Sequence, residues 1–182
     1  MLENGERIKM ELTSEGIWNS EYKRTEDFRK YAGDIFTEEA VQRLAEWGYF
    51  RAPASRKHHG AFEGGLYFHS KSVAMLLEEF TEHERLVWKR KESPRIIGLF
   101  HDLCKTDSSS GTGMLPGHGE KSAILAQELL SLTEEEILCI RFHMGAFEGQ
   151  EIWGYLQKAA SRCSGILWTM QADLLASWVL DT

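Results

Sequence analysis

The spacing of apolar residues along the chain predicts helices rather than strands. Within residues 66–83, apolar side chains recur every three to four positions, which is the period of a helix with one buried face. The stripe consists of Val73, Leu76, Leu77 and Phe80. His69 lies at the end of the same stripe, so we expect its imidazole to face the core. Alternating strand patterns are hardly signalled, and we predict an all-α fold.

A second apolar stretch predicts a central helix that begins at Ser93, with Ser93 as N-cap and Pro94 in the first turn. Its residues are apolar nearly all round, which is typical of a buried helix. The stretch ends in the dipeptide His101-Asp102. A buried, unpaired aspartate is costly, so Asp102 is expected to face a cation or hydrogen-bond donors.

Further helices are predicted from residues that are typical of helix ends. Thr37 is a predicted N-cap for residues 38–47, and residues 133–136 read as a capping box. The helix that begins at His118 is expected to bury Ala123, Ile124, Ala126, Leu129 and Leu130. The last stretch, residues 155–180, with a break near residues 164–165, is expected to bury Met170, Leu174, Leu175 and Trp178. The tryptophans are interpreted as core residues.

Two segments are predicted to be loops because they are rich in glycine, proline and small residues, namely residues 52–65 and residues 106–117. The second follows the His101-Asp102 pair, so it is either a lid beside a site or an ordinary surface loop.

The length of 182 residues suits one domain with a real core. We predict an N-terminal arm with a short helix at 1–36, docked through Trp18, Tyr22 and Phe28, followed by the main domain at 37–182. The sequence has 28 acidic and 21 basic residues, a net charge of -7, and no basic block. This balance argues against binding to duplex nucleic acid.

The cellular compartment is predicted from three features that were sought in the sequence: a membrane span, a signal peptide and paired cysteines. No apolar run approaches the roughly 20 residues of a membrane span, and the first residues lack a signal-peptide core. The three cysteines, Cys104, Cys139 and Cys163, form no CxxC pair. We expect a cytoplasmic protein whose cysteines are reduced core residues.

Six residues are candidate metal ligands: His69, His101, Asp102, His118, His143 and Asp173. Neighbouring side chains on a helix diverge by about 100°, but at a helix end both residues of a His-Asp pair can reach one ion. Imidazole and carboxylate together suit a divalent metal. A hydrogen-bonded core histidine at position 69 and a surface acid at position 173 are the alternatives.

The H…HD…D pattern of His69, His101-Asp102 and Asp173 resembles that of the HD-domain superfamily of metal-dependent phosphohydrolases. The spacings are 32 and 71 residues, and the resemblance covers about residues 50–180. The supporting strings are Gly64-Gly65-Leu66, His101-Asp102-Leu103-Cys104-Lys105, Gly117-His118-Gly119-Glu120-Lys121-Ser122 and Phe142-His143-Met144-Gly145. The chain looks most like small stand-alone HD-domain hydrolases of bacteria and phages.

The resemblance implies a helical bundle with a central metal site that holds one or two divalent ions, with Mn, Fe, Mg, Ni and Zn all open. The first ion would be bound by His69, His101, Asp102 and Asp173. His118 and His143 match the extra histidines of binuclear relatives, with Asp102 as the bridge. The HD-GYP signature is absent, so a cyclic dinucleotide substrate is not implied. Cys104 replaces a glycine common in relatives, and its thiol is expected only to pack.

The implied activity is hydrolysis of a phosphomonoester or phosphodiester bond in a nucleotide or short oligonucleotide. Asp102, Lys105 and His59 are the candidate catalytic residues, and Lys105, His59 and Glu63 the candidate substrate-binding residues. Lys105 could instead serve a helix end, and His59 could be a solvated loop residue. The competing functions are a catalytically silent metal- or nucleotide-binding module that acts through a partner, and a nuclease for single strands.

Overall fold

The computed structural model describes residues 20–55, 57, 60–106 and 117–180. Within these ranges the chain is helical and has no strand, as predicted. The α-helices are α1 (Glu21–Ala32), α2 (Glu38–Glu46), α3 (Gly65–Glu84), α4 (Ser93–Phe100), α5 (His118–Gln127), α6 (Glu134–Phe142), α7 (Gln150–Ala160) and α8 (Gly165–Leu175). Short 3-10 turns cover Gly33–Ile35, Leu103–Lys105 and Gly145–Phe147, and a π-helical turn, Ala176–Leu180, continues α8.

Most predicted helix ends are confirmed. The Thr37 hydroxyl accepts from the Ala40 amide at 3.2 Å, and Thr133 with Glu136 forms the capping box. The predicted break lies between α7 and α8. α4 begins at Ser93 with Pro94 in its first turn, as predicted, but its N-cap is Glu92 and not Ser93. The Ser93 hydroxyl instead donates to Glu136 at 2.7 Å, so it connects two helices.

The buried pair of α3 and α4 forms the centre of the fold. The apolar residues of α4 are fully buried, as their pattern predicts. Gly98 lies directly on the backbone of Ala74, where a Cβ atom would overlap it. This close approach brings His69, five residues before Ala74, near His101, three residues after Gly98.

An aromatic cluster attaches the first helices to this centre. Phe28 on α1 is fully buried and contacts Tyr49, Phe50 and Tyr67 with ring centroids 5.5–6.2 Å apart. The Tyr49 hydroxyl donates to the Leu99 carbonyl at 2.6 Å. Residues from α1 therefore share the core with α3 and α4, while Tyr22 is exposed and Trp18 lies outside the described residues. The boundary between residues 36 and 37 stays a prediction.

Two predicted buried faces are wrong in part. Ile124 is exposed, and Leu125 takes its place in the core. On the last helix, Leu174 and Trp178 are exposed, because the helix turns the face of Asp173 toward His69. The residues buried along that face are Ile166, Thr169, Ala172, Ala176 and Leu180. The helix thus buries a different, mostly apolar stripe, and Asp173 lies on the same side of the helix.

Trp153 is also 43 % exposed, so the interpretation of the tryptophans as core residues fails for it and for Trp178. Cys104, Cys139 and Cys163 are buried and free, as predicted. Across the described part of the chain, no helix combines the length and the apolar character needed to cross a bilayer. The predicted loop at 106–117 has residues 107–116 outside the described residues.

Candidate metal centre

Three side chains from separate helices meet in the core, as predicted. His69 comes from the second turn of α3, His101 follows the last residue of α4, and Asp173 lies on α8. Nε2 of His69 is 3.1 Å from Nε2 of His101 and 3.1 Å from Oδ1 of Asp173. Both imidazoles are fully buried. These three residues form a group that could hold a metal ion.

Asp102 lies between this group and its neighbours. Its Oδ2 atom is 3.7 Å from Nε2 of His69 and 3.4 Å from Nε2 of His101. The same oxygen accepts a hydrogen bond of 2.5 Å from Nζ of Lys105. Its Oδ1 atom faces the other way, 3.5 Å from Nε2 of His143. The carboxylate thus spans two parts of the site, and His101, Asp102 and His143 form a second potential metal-binding group.

Backbone carbonyl groups orient two of the histidines. The Gly98 carbonyl lies 2.8 Å from Nδ1 of His101, and the Ile140 carbonyl lies 2.7 Å from Nδ1 of His143. Because a carbonyl oxygen only accepts, each Nδ1 is the donor and each Nε2 is directed into the site with its lone pair available. This is the arrangement that metal-binding histidines use.

Two atoms at the centre have no hydrogen-bond partner. They are Oδ1 of Asp102 and Nε2 of His143, both fully inaccessible to solvent. Buried polar atoms are nearly always satisfied, since an unmade hydrogen bond there costs about 1–3 kcal/mol. A cation between these atoms would satisfy both, and the donor set of imidazole and carboxylate suits a divalent metal. The residues therefore fit a metal ion.

His118 occupies the exposed edge of the site, at the start of α5. Its Nδ1 atom is 3.2 Å from Sγ of Cys104, and these two residues form a third potential metal-binding group with Asp102. His118 and His143 therefore fall in different groups, whereas the resemblance implies one shared ion. The position of α5 depends on Gly119, whose Cα lies against the backbone of Arg141, where a Cβ atom would overlap it.

The charges of the site are set by neighbouring groups. Burial alone would raise the pKa of Asp102, but Lys105 and His101 hold that pKa well below its usual range. Burial likewise opposes ionisation of Asp173, and the hydrogen bond with His69 outweighs it and lowers the pKa of Asp173. Burial lowers the pKa of His101. Burial would lower the pKa of His143, but the Asp102 carboxylate outweighs burial and raises that pKa. Ionised carboxylates and a neutral His101 favour metal binding, whereas the raised pKa of His143 opposes it.

Lys105 is the cation of the site. Burial would lower its pKa, but the Asp102 carboxylate prevails and raises the pKa of Lys105. The predicted charge at this position is therefore present, and the side chain is still 23 % exposed. Lys105 is also the last residue of its 3-10 turn, so its role in catalysis and its alternative role at a helix end both stay predictions.

Two of the predicted substrate-binding residues have no contact with the potential metal-binding residues among the contacts that the structure describes. The Glu63 carboxylate is 70 % exposed and accepts from the buried Arg24 at 2.7 Å. Its role in substrate binding stays a prediction. His59 lies outside the described residues. The sequence interpretation did not include Cys104 in a potential metal-binding group, although its position, where the resemblance implies a glycine, was a signal.

In comparisons with known proteins, no family model matches the sequence, and no curated protein or solved structure matches the chain. The resemblance to the HD-domain superfamily therefore rests on the motif residues themselves.

Proposed function

We propose that this protein is a metal-dependent phosphohydrolase with an HD-type site inside its helical fold. The observation that carries the proposal is the pair of unpartnered, buried atoms, Oδ1 of Asp102 and Nε2 of His143, inside a set of histidines and aspartates from separate elements. A purely structural polar cluster would satisfy its own atoms.

The first ion would be held by His69, His101, Asp102 and Asp173. Asp102 belongs to two further potential metal-binding groups, so it would also take part in holding a second ion, for which the resemblance implies His118 and His143. A divalent ion supplies a water molecule of lowered pKa and a positive charge for phosphate oxygens. The resemblance leaves Mn, Fe, Mg, Ni and Zn open, and among them the imidazole donors favour Fe, Ni and Zn. The substrate would be a small phosphorylated molecule such as a nucleotide.

The chain's own residues supply orientation and charge. The carbonyl groups of Gly98 and Ile140 fix the imidazoles of His101 and His143. The ammonium of Lys105 contacts Asp102, and the Lys105 side chain is 23 % exposed, so it would bind non-bridging phosphate oxygens and stabilise the charge that grows on them. His59 is the candidate for protonating the leaving group.

The proposal is tested with purified, metal-stripped protein. Metal content is measured after loading with each of the five candidate ions. Hydrolysis is then assayed with a nucleotide panel and with bis-p-nitrophenyl phosphate. We expect one or two bound ions per chain and turnover that depends on the added metal.

A matched pair of histidine variants on α3 provides the control. His69→Ala should lose metal and turnover together, whereas His83→Ala should keep both, because His83 is 80 % exposed and away from the cluster. Bound metal without turnover on any substrate would favour the silent binding module. Turnover confined to single-stranded oligonucleotides would favour the nuclease. Absence of bound metal would refute the metal centre.

A further inference from the structure

Cys104 differs from the other two cysteines in what its thiol faces. Cys139 and Cys163 contact each other, with their Sγ atoms 3.7 Å apart. The thiol of Cys104 instead lies 3.2 Å from Nδ1 of His118 and within 4.8 Å of a carboxylate oxygen of Asp102. Cys104 is therefore surrounded by ionisable groups, while the other pair behaves as core packing.

The backbone holds this thiol in place. The amide of Cys104 donates to Oγ of Ser122 at 3.1 Å, and Ser122 lies on α5, one turn after His118. The same short segment thus fixes the position of Cys104 relative to His118. Asp102, the third member of this group, is 3 % exposed, and its Oδ1 atom, 3.5 Å from Nε2 of His143, has no hydrogen-bond partner. This carboxylate can therefore still accept a contact with a cation.

The donor atoms of this group are a sulfur, an imidazole nitrogen and a carboxylate oxygen. Magnesium and manganese prefer oxygen, whereas thiolate combined with imidazole is characteristic of zinc, and iron and cobalt also accept it. From the resemblance, Cys104 is expected only to pack against its neighbours. The same resemblance implies that the second ion is bound by two histidines and Asp102. The geometry separates His118 from His143 and gives His118 a sulfur partner instead.

We propose that Cys104 is a metal ligand, so that the second ion of the proposed metal centre is held by Cys104, His118 and Asp102 and is a thiophilic divalent metal. The inference rests on the proposed metal centre but is independent of which bond the protein hydrolyses. As the bond between Sγ and the metal forms, the thiol proton passes to solvent, because the thiolate is the form that binds metal.

Cobalt reports this ligand directly. Metal-stripped protein is titrated with Co²⁺ and its absorption spectrum is recorded. We expect a near-ultraviolet charge-transfer band from thiolate to cobalt, together with the weaker visible bands of cobalt bound by nitrogen and oxygen. Cys104→Ser should abolish the near-ultraviolet band, lower the cobalt content by one ion per chain and keep the visible bands of the remaining ion.

The other cysteines are the matched controls. Cys163→Ala also removes a buried thiol, and it should keep the band. Zinc affinity at the second position should fall by at least about 10-fold in Cys104→Ser, since even residues that only support a ligand contribute 10–100-fold. Circular dichroism checks that each variant is folded, and Cys104→Gly provides a second variant if Cys104→Ser is not.

The outcomes separate this inference from the proposed function. Cobalt that binds with visible bands but without the charge-transfer band would overturn the role of Cys104 and leave the metal centre intact. A band that survives in Cys104→Ser and Cys104→Gly would also overturn it. Failure to bind any cobalt or zinc would contradict the metal centre and this inference together.

Discussion

Two carboxylates in the described part of the chain are buried. One is Asp102, between α4 and the following 3-10 turn, and the other is Glu136, in the first turn of α6. Their exposed fractions are 3 % and 0 %. Both are ionised, because a neighbouring cation lowers the pKa of each against the effect of burial. In burial and charge the two residues are therefore alike.

Their partners are different. Both oxygens of Glu136 are satisfied: Oε1 accepts from Nε of Arg90 at 2.8 Å and from Ser93 at 2.7 Å. Oε2 accepts from a second Arg90 nitrogen and, at 2.8 Å, from the Thr133 amide. Only Oδ2 of Asp102 has such a partner, the ammonium of Lys105, and Oδ1 has none.

This difference distinguishes a carboxylate with a complete set of hydrogen bonds from one that could bind a metal ion. The surroundings of Glu136 are complete, and they connect the start of α4 to the start of α6. Asp102 is surrounded by three imidazoles, those of His69, His101 and His143, whose Nε2 atoms lie 3.4–3.7 Å from its oxygens, and imidazole nitrogens bind divalent metals. We therefore expect substitutions at the two positions to affect different properties, metal content at Asp102 and stability at Glu136.

The largest expected effect is that of Asp102→Ala. Because this carboxylate is shared by two of the potential metal-binding groups, its loss should weaken metal binding by more than about 100-fold. Metal analysis after gel filtration measures this, and turnover should disappear with the metal. A variant that keeps its full metal content would show that Asp102, like Glu136, is a structural carboxylate and not a metal ligand.

Lys105→Ala should lower kcat by about 10²–10³-fold, the usual effect of losing one electrostatic contact to the transition state. Metal content should stay unchanged, because Lys105 is not a metal ligand. Steady-state kinetics and metal analysis of the same preparation measure both quantities, with Lys89→Ala as the exposed control. Full turnover would remove Lys105 from catalysis. Loss of metal would assign it to the positioning of Asp102.

Glu136→Gln should lower the free energy of unfolding by about 1–3 kcal/mol, since a buried charge-assisted network loses its anion. Metal content should not change. Urea denaturation of both proteins measures the difference, and Glu134→Gln is the matched control because Glu134 is 80 % exposed on the same turn. An unchanged midpoint would mean that Arg90 and Ser93 find equal partners elsewhere.

The smallest expected effect is a pH dependence of the difference in free energy of unfolding between wild type and Glu136→Gln. The pKa of Glu136 is lowered below its usual 4.5 in the folded protein. The contribution of ionised Glu136 to the free energy of unfolding is therefore fully present above about pH 4.5. It is lost as the pH falls through the lowered pKa of the folded protein. Denaturation midpoints at several pH values should show wild type and Glu136→Gln converging in acid. A difference that grows in acid would contradict this assignment.

Periodicity and end signals in the sequence determined the helices, since capping and burial act locally or along one face. Thr37 and Thr133 begin helices as predicted, and the apolar α4 is buried. The sequence also singled out the histidines and aspartates that the structure brings together. Their roles as ligands and the activity stay predictions, because motif residues alone do not identify a metal or a substrate.

Only the tertiary structure decided how these side chains face one another. The close approach of Gly98 to Ala74 brings His69 to His101, and no local pattern encodes that distance. The same holds for the last helix, where Asp173 contacts His69 while Trp178, in the following π-helical turn, is exposed. It also holds for Cys104, whose thiol meets His118 from another helix. Periodicity records one face of one helix, whereas contacts between distant residues depend on how all the helices pack together.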